Sequence, residues 1–160
     1  MLALWPEFGQ LEAMECLLAD ADATRALGAR LAAVAYPGLV VAMSGDLGSG
    51  KTTFAQGVGQ GLGVQTRVSS PTFQILALHP GRLPLAHADL YRLGDPDELV
   101  ELGLDEHLLD GVALIEWAER FPELLPADHL ALHLEDHGEG RRATLRATGP
   151  ASQALLEALR

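Results

Sequence analysis

The residues Gly45-Asp46-Leu47-Gly48-Ser49-Gly50-Lys51-Thr52 fit the pattern G-x-x-x-x-G-K-[ST] in full. The pattern carries a mechanism. Glycines let successive backbone N–H groups turn inward around phosphate oxygens, and the positive end of a following helix adds to the attraction. The lysine reaches the outer phosphates, and the hydroxyl beside it is placed for Mg²⁺. Gly45, Leu47, Gly48, Ser49, Gly50, Lys51, Thr52 and the adjoining Thr53 are therefore candidate nucleotide-binding residues. Lys51 stands out further because the chain has one Lys against ten Arg. A compact ammonium can lie along a phosphate chain where a planar guanidinium fork cannot.

A phosphate loop of this kind needs a second acid, at the end of a buried strand, to hold Mg²⁺ or its water shell. Two residues fit. Asp89 follows Leu85-Ala86-His87-Ala88, and Glu116 follows the more apolar Val112-Ala113-Leu114-Ile115. The Asn-Lys-x-Asp signal for guanine cannot occur in a chain with no Asn and no second Lys, so ATP is the expected nucleotide. Trp117 could stack on a base or fill the core. His129, His133 and His137 are four apart, which on a helix would suggest a metal site. The alternation of Leu130, Leu132 and Leu134 predicts a strand instead, with His133 on its polar face.

The elements needed to position these groups are legible around them. Residues 15–18 read as a short strand. A helix capped by Asp22 runs to Tyr36, with Leu27, Leu31 and Val34 on one face, and Pro37-Gly38 ends it. The run 39–43 has the look of a strand buried on both sides of a parallel sheet. A helix follows the glycine loop over 51–62. Gly57, Gly59 and Gly61 weaken it and point to close packing, and Gly63 caps its end. Strands are expected at 73–78 and 83–90 around His79-Pro80-Gly81. A helix starts at Asp95-Pro96-Asp97-Glu98, a short one follows at 105–109, and a buried strand runs over 112–115. Residues 129–135 and 142–147 read as a hairpin at a sheet edge with the polar 136–140 between them. A last helix follows Gly149-Pro150. Strands alternating with helices make the fold class α/β.

Composition bounds the function. At 160 residues the chain suits one domain, set at 14–160 with 1–13 as an extension. The 22 acids against 11 bases give a net charge of −11. That excludes a domain that by itself grips naked nucleic acid or anionic lipid. The lone Cys16 rules out an internal disulfide or a cysteine zinc cluster, and cytoplasm is the default location. The N-terminus lacks a basic region ahead of its apolar residues and is not expected to be a signal peptide.

Four motifs occur in order along the chain: GDLGSGKTT; Ser70-Pro71-Thr72-Phe73; His87-x-Asp89-Leu90-Tyr91-Arg92-Leu93 with Asp95-Pro96-Asp97-Glu98-Leu99; and Ile115-Glu116-Trp117. Together they closely resemble the bacterial TsaE (YjeE) family, over about residues 15–160. The resemblance implies a three-layer P-loop NTPase-like fold with a mixed β-sheet between helices. It also implies a weak ATPase, using ATP and Mg²⁺, that serves threonylcarbamoyladenosine formation on tRNA. Such a protein would reset the TsaD–TsaB transferase complex between turnovers, meeting tRNA only through that complex and no membrane. Carried onto this sequence, residues 45–53 would cradle the phosphates, and Thr52 with Glu116 would hold Mg²⁺. Lys51 and Asp89 would act in catalysis. Thr72 would act with them, from a loop that senses the γ-phosphate and faces the partner. Arg141 matches a position near the nucleotide, and Trp117 joins it as a candidate nucleotide-binding residue. Small departures are Ser49 where Ala is frequent and Trp117-Ala118 where Trp-Pro is frequent. Two other readings stay open on sequence: a small P-loop metabolite kinase, and a non-catalytic ATP-dependent assembly switch.

Overall fold

The computed structural model describes residues 12–70 and 74–160. Its strands are β1 (Ala13–Leu18), β2 (Val40–Ser44), β3 (Leu76–His79), β4 (Leu85–Asp89), β5 (Val112–Glu116), β6 (Leu130–His137) and β7 (Gly140–Ala147). Its helices are α1 (Ala21–Val34), α2 (Lys51–Gly61), α3 (Asp97–Glu101), α4 (Leu104–Leu108) and α5 (Pro150–Leu159). Two 3₁₀ turns, Ala118–Arg120 and Pro122–Leu124, follow β5.

The strands form one seven-stranded sheet in the order β1-β7-β6-β2-β5-β4-β3. The central pairs β2/β5, β2/β6 and β4/β5 are parallel, and β3/β4, β6/β7 and β1/β7 are antiparallel. Helices cover both faces. Val41, Met43, Leu114, Leu132 and Leu145 pack with Phe54 and Val58 of α2, Leu27 and Leu31 of α1, and Leu155 and Leu156 of α5. Val40, Ala42, Ala88, Ala113 and Ile115 pack on the opposite side with Leu99 of α3 and Leu104 of α4. Every residue of β2 and β5 is buried, as strands covered on both faces must be. The three-layer α/β reading with a mixed sheet therefore holds.

Several boundaries differ from the sequence reading, each for a local reason. Asp20, not Asp22, caps α1, accepting from Ala23 N–H at 2.8 Å. Asp22 lies in the first turn and pairs with Arg25 at 3.0 Å. Ala13 already belongs to β1, while residues 1–11 of the expected extension lie outside the described residues. The expected strand over 73–78 begins only at Leu76, and Phe73 lies outside the described residues. The hairpin is longer and tighter, with β6 and β7 pairing as far as His137↔Gly140. Nor is the hairpin an edge, since β1 adds beyond β7 over Ala13↔Arg146 to Leu18↔Arg141. Among the described residues no helix is long and apolar enough to cross a membrane.

The glycines of α2 place it. A Cβ on Gly57 would fall 2.1 Å from the carbonyl oxygen of Arg25, and one on Gly28 would fall 2.4 Å from that of Phe54. The backbones of α1 and α2 thus touch directly, which seats α2 and the loop before it against the sheet. Gly57→Ala forces the two helices apart. It should cost on the order of 1–3 kcal/mol or more of stability, as overpacked sites do, read as a lowered urea midpoint.

Candidate functional site

The loop of residues 45–50 leaves β2 and enters α2, and its backbone needs glycine where it bends. Gly45, Gly48 and Gly50 have φ of 137°, 79° and 108°, a left-handed region that L side chains rarely adopt. A Cβ on Gly45 would also lie 2.4 Å from Leu134 O and 2.7 Å from Ser49 Oγ. Gly50 sits immediately before α2 with no side-chain cap. The first N–H groups of α2 are therefore left for another partner.

Lys51 is 6% exposed. Its Nζ donates to Gly45 O and, at 3.1 Å, to Asp46 O, and lies 4.4 Å from the centre of the Trp117 ring. Burial pulls its pKa below the usual lysine value, while Glu116, Glu119, Asp89 and Asp46 act in the other direction. The four acids help keep the buried amine charged, and the cation they stabilise is the group an incoming phosphate would meet.

The two strand-end acids stand side by side, since Asp89 pairs with Glu116 in the parallel register of β4 and β5. Glu116 is 3% exposed; its Oε2 lies 2.6 Å from Nε2 of the fully buried His87. Asp89 accepts from Tyr91 N–H at 2.9 Å and from Ser70 Oγ at 3.1 Å. These partners relieve the repulsion between neighbouring carboxylates. Thr52, Asp89 and Glu116 line the same cleft, and together they offer the hard oxygen donors that suit Mg²⁺. Among the described residues no three His, Cys, Asp or Glu side chains converge on one point. The fit is thus to an ion held by one or two protein oxygens along with phosphates and water.

The cleft has a volume of about 730 Å³ and is walled by Leu47, Lys51, Thr53, Tyr91, Arg92 and Trp117 among others. Trp117 is the one non-glycine described residue with positive φ, at 58°, and its ring lies 5.1 Å from that of Tyr91. The arrangement can take a polyphosphate against the glycine loop, a cation between phosphate and carboxylates, and a water polarised by Asp89. The full set of loop, lysine and paired strand-end acids is now in place, and comparison with known proteins agrees with it. Residues 18–144 match the family model described as "Threonylcarbamoyl adenosine biosynthesis protein TsaE". The chain belongs to the TsaE family. A Bacillus subtilis relative called "tRNA threonylcarbamoyladenosine biosynthesis protein TsaE" is 43% identical over 86% of this chain and 88% of its own. A Streptomyces coelicolor relative of the same name is 47% identical over 69% of this chain and 78% of its own. The crystal structure of B. subtilis YdiB superposes with a TM-score of 0.83 at 35% identity, covering 95% of this chain and 97% of that one.

Of the residues singled out in the sequence, Leu47, Gly48, Gly50, Lys51, Thr52, Thr53, Asp89, Glu116 and Trp117 all line the cleft. Gly45 and Ser49 do not line it; Ser49 is buried, its Oγ without a hydrogen-bond partner among the described residues. Arg141 touches the loop from outside, donating to Gly48 O at 3.2 Å while its Nε pairs with Asp136 at 3.3 Å. Thr72 lies outside the described residues. His133 and His137 lie on β6 and His129 just before it, the strand their alternation predicted, and each has its own partner. His129 Nδ1 meets Pro126 O at 2.8 Å, His133 Nδ1 meets Ser44 Oγ at 2.9 Å, and His137 Nδ1 meets Arg142 at 3.1 Å.

The sequence reading gave no separate part to Tyr91 or to Glu119. Tyr91 could have been suspected from an aromatic two residues after a strand-end acid. Glu119 carried no local signal, because its place beside Lys51 depends on the turn at Trp117. Burial raises the Glu119 carboxyl above its usual range against the smaller opposing effects of its own backbone N–H, Lys51 and His133, and its Oε2 is buried with no hydrogen bond among the described residues. A raised acid destabilises the fold once ionised, and the penalty disappears below its unfolded pKa, where both states are protonated. Glu119→Gln should therefore raise the urea midpoint at pH 7.5, with the gain vanishing as pH falls below about 4, near the ordinary Glu value.

Trp117 also supplies a reporter, since the chain has two Trp, Trp5 and Trp117. In Trp5→Phe, where Trp117 is the lone tryptophan, nucleotide entering the cleft should change the fluorescence. Calorimetry on the same variant should detect binding over the same nucleotide range.

Proposed function

We propose that this protein hydrolyses ATP in the service of tRNA threonylcarbamoyladenosine formation, resetting a TsaD–TsaB transferase complex between turnovers. The observation that carries the reading is the meeting, in one cleft, of the glycine loop and Lys51 with Asp89 and Glu116 at paired strand ends. The relatives' names supply the pathway, and ATP is favoured over GTP by the absence of any Asn-Lys-x-Asp segment.

The chemistry is displacement at the γ-phosphorus: water's oxygen forms the new bond and the bond to the bridging oxygen of ADP breaks. Positioning and charge neutralisation account for most of the catalysis in such transfers. Residues 45–50 direct backbone N–H groups at the phosphates. Lys51 leaves its carbonyl partners to lie along the β- and γ-phosphates. Asp89, with its carboxylate oriented by Tyr91 N–H and Ser70, accepts a hydrogen bond from the attacking water and aims its lone pair. Thr52 and Glu116 would hold Mg²⁺, which when bound neutralises charge on the phosphates. By the family resemblance Thr72 would join the catalytic set, and Arg141 steadies the glycine loop from outside.

A net charge of −11 disfavours direct tRNA binding, so the tRNA belongs to the partner complex and the acidic surface to a docking role. A lone cysteine suits the reducing cytoplasm. Phosphate release measured with and without TsaD–TsaB tests the proposal. Turnover should be weak alone and rise with the complex, and Lys51→Ala or Asp89→Ala should lower the stimulated rate by about 10²–10³-fold while the fold persists. Phosphate appearing on a small acceptor would replace this reading with a metabolite kinase. A rate indifferent to the partners would replace it with an assembly switch.

A further inference from the structure

We propose that His87 is the positioning residue that aims Glu116 at the metal–nucleotide group, an inference that rests on the reading of Glu116 as a metal ligand. Along the parallel β4/β5 ladder, His87 pairs with Leu114 and Asp89 with Glu116. His87 and Glu116 are therefore diagonal neighbours two residues apart on one face of the sheet, within reach of each other for long side chains. That face is the α1/α2 side, on which Leu85, Val112 and Leu114 also lie.

His87 has no exposed surface, and its Nε2 lies 2.6 Å from Glu116 Oε2. A carboxylate accepts, so Nε2 carries the proton. Nδ1 is buried with no hydrogen-bond partner among the described residues, so the Nε2 edge is the side of the ring through which His87 acts on the site. One oxygen of Glu116 is thereby committed to the protein interior, and Oε1 is left as the oxygen for an ion in the cleft. Rotation of the carboxylate would break a buried hydrogen bond to a charged group, which is among the costlier bonds to lose. A second partner of this kind, behind a ligand oxygen, fixes ligand orientation and tunes metal affinity. Nothing else about His87 asks for a polar side chain. Its strand neighbours Ala86 and Ala88 are core residues, and an apolar residue would fill the same space without leaving an unpartnered nitrogen.

The test titrates MgCl₂ into the full-length protein saturated with a non-hydrolysable ATP analogue, followed by calorimetry, alongside analogue affinity in EDTA. The variants are His87→Met, which keeps volume but removes the donor, and His87→Gln, whose amide nitrogen can donate from nearly the same place. Circular dichroism and urea unfolding establish that each is folded. In His87→Met the Mg²⁺ half-saturation should rise by about 10–100-fold, with metal-free analogue affinity unchanged. His87→Gln should stay within a few-fold of the wild type, a rescue that a packing role would not produce. Glu116→Gln separates the two layers of the argument. If it leaves the Mg²⁺ dependence unmoved, the metal reading of Glu116 is overturned and the role of His87 with it. If Glu116→Gln shifts the dependence and a folded His87→Met does not, the positioning role alone is overturned.

Discussion

An ammonium at the start of α2 and two carboxylates at the ends of adjacent parallel strands are held in one cleft, Lys51 and Glu116 largely out of water. Left alone, each is costly to bury: Lys51 is pulled below its usual pKa by desolvation, and Asp89 and Glu116 repel one another across a register pair. The cluster is tolerable because each charge has a hydrogen-bonding partner. Lys51 has loop carbonyls and the face of Trp117, Asp89 has Tyr91 N–H and Ser70, and Glu116 has His87. The desolvated state in turn gives the cluster its electrostatic reach, since charge interactions strengthen as water is excluded. A site of this kind offers an ammonium to an anion and carboxylate oxygens to a cation.

The rest of the fold reads as the support for that arrangement. A loop whose glycines bend through left-handed φ can cradle an anion only if the helix after it is held rigidly. The direct backbone contact at Gly28 and Gly57 supplies the rigidity. On the other face, α3 and α4 cover the strands that carry Asp89 and Glu116. Trp117 then turns the chain away at positive φ, which places its own ring over Lys51 and brings Glu119 within electrostatic reach of it.

Much of the site was readable because it depends on local chemistry. The phosphate loop, its flanking buried run and its helix are contiguous, so spacing alone identifies them. Glu116 was legible as an acid that ends an apolar strand, and Asp89 by the same rule. The glycines of α2 announced close packing, although not against which element. The identity of the capping residue of α1 was missed by two positions, because Asp20 and Asp22 are both acceptable caps and only the backbone geometry selects between them. The hairpin was misjudged as an edge because its alternation looks the same whether or not another strand pairs beyond it.

The sequence by itself determined the chemistry on offer: one lysine in a glycine loop, two acids at strand ends, a single cysteine, and a net charge of −11. The tertiary structure decided which of these groups meet. The pairing of His87 with Glu116, the stacking of Trp117 on Lys51, the approach of Arg141 to Gly48, and the addition of β1 beyond β7 all join residues far apart in the chain. Local periodicity reports which face of an element is buried. It carries no information about which neighbour buries it, because that is settled by packing and strand register across the whole sheet.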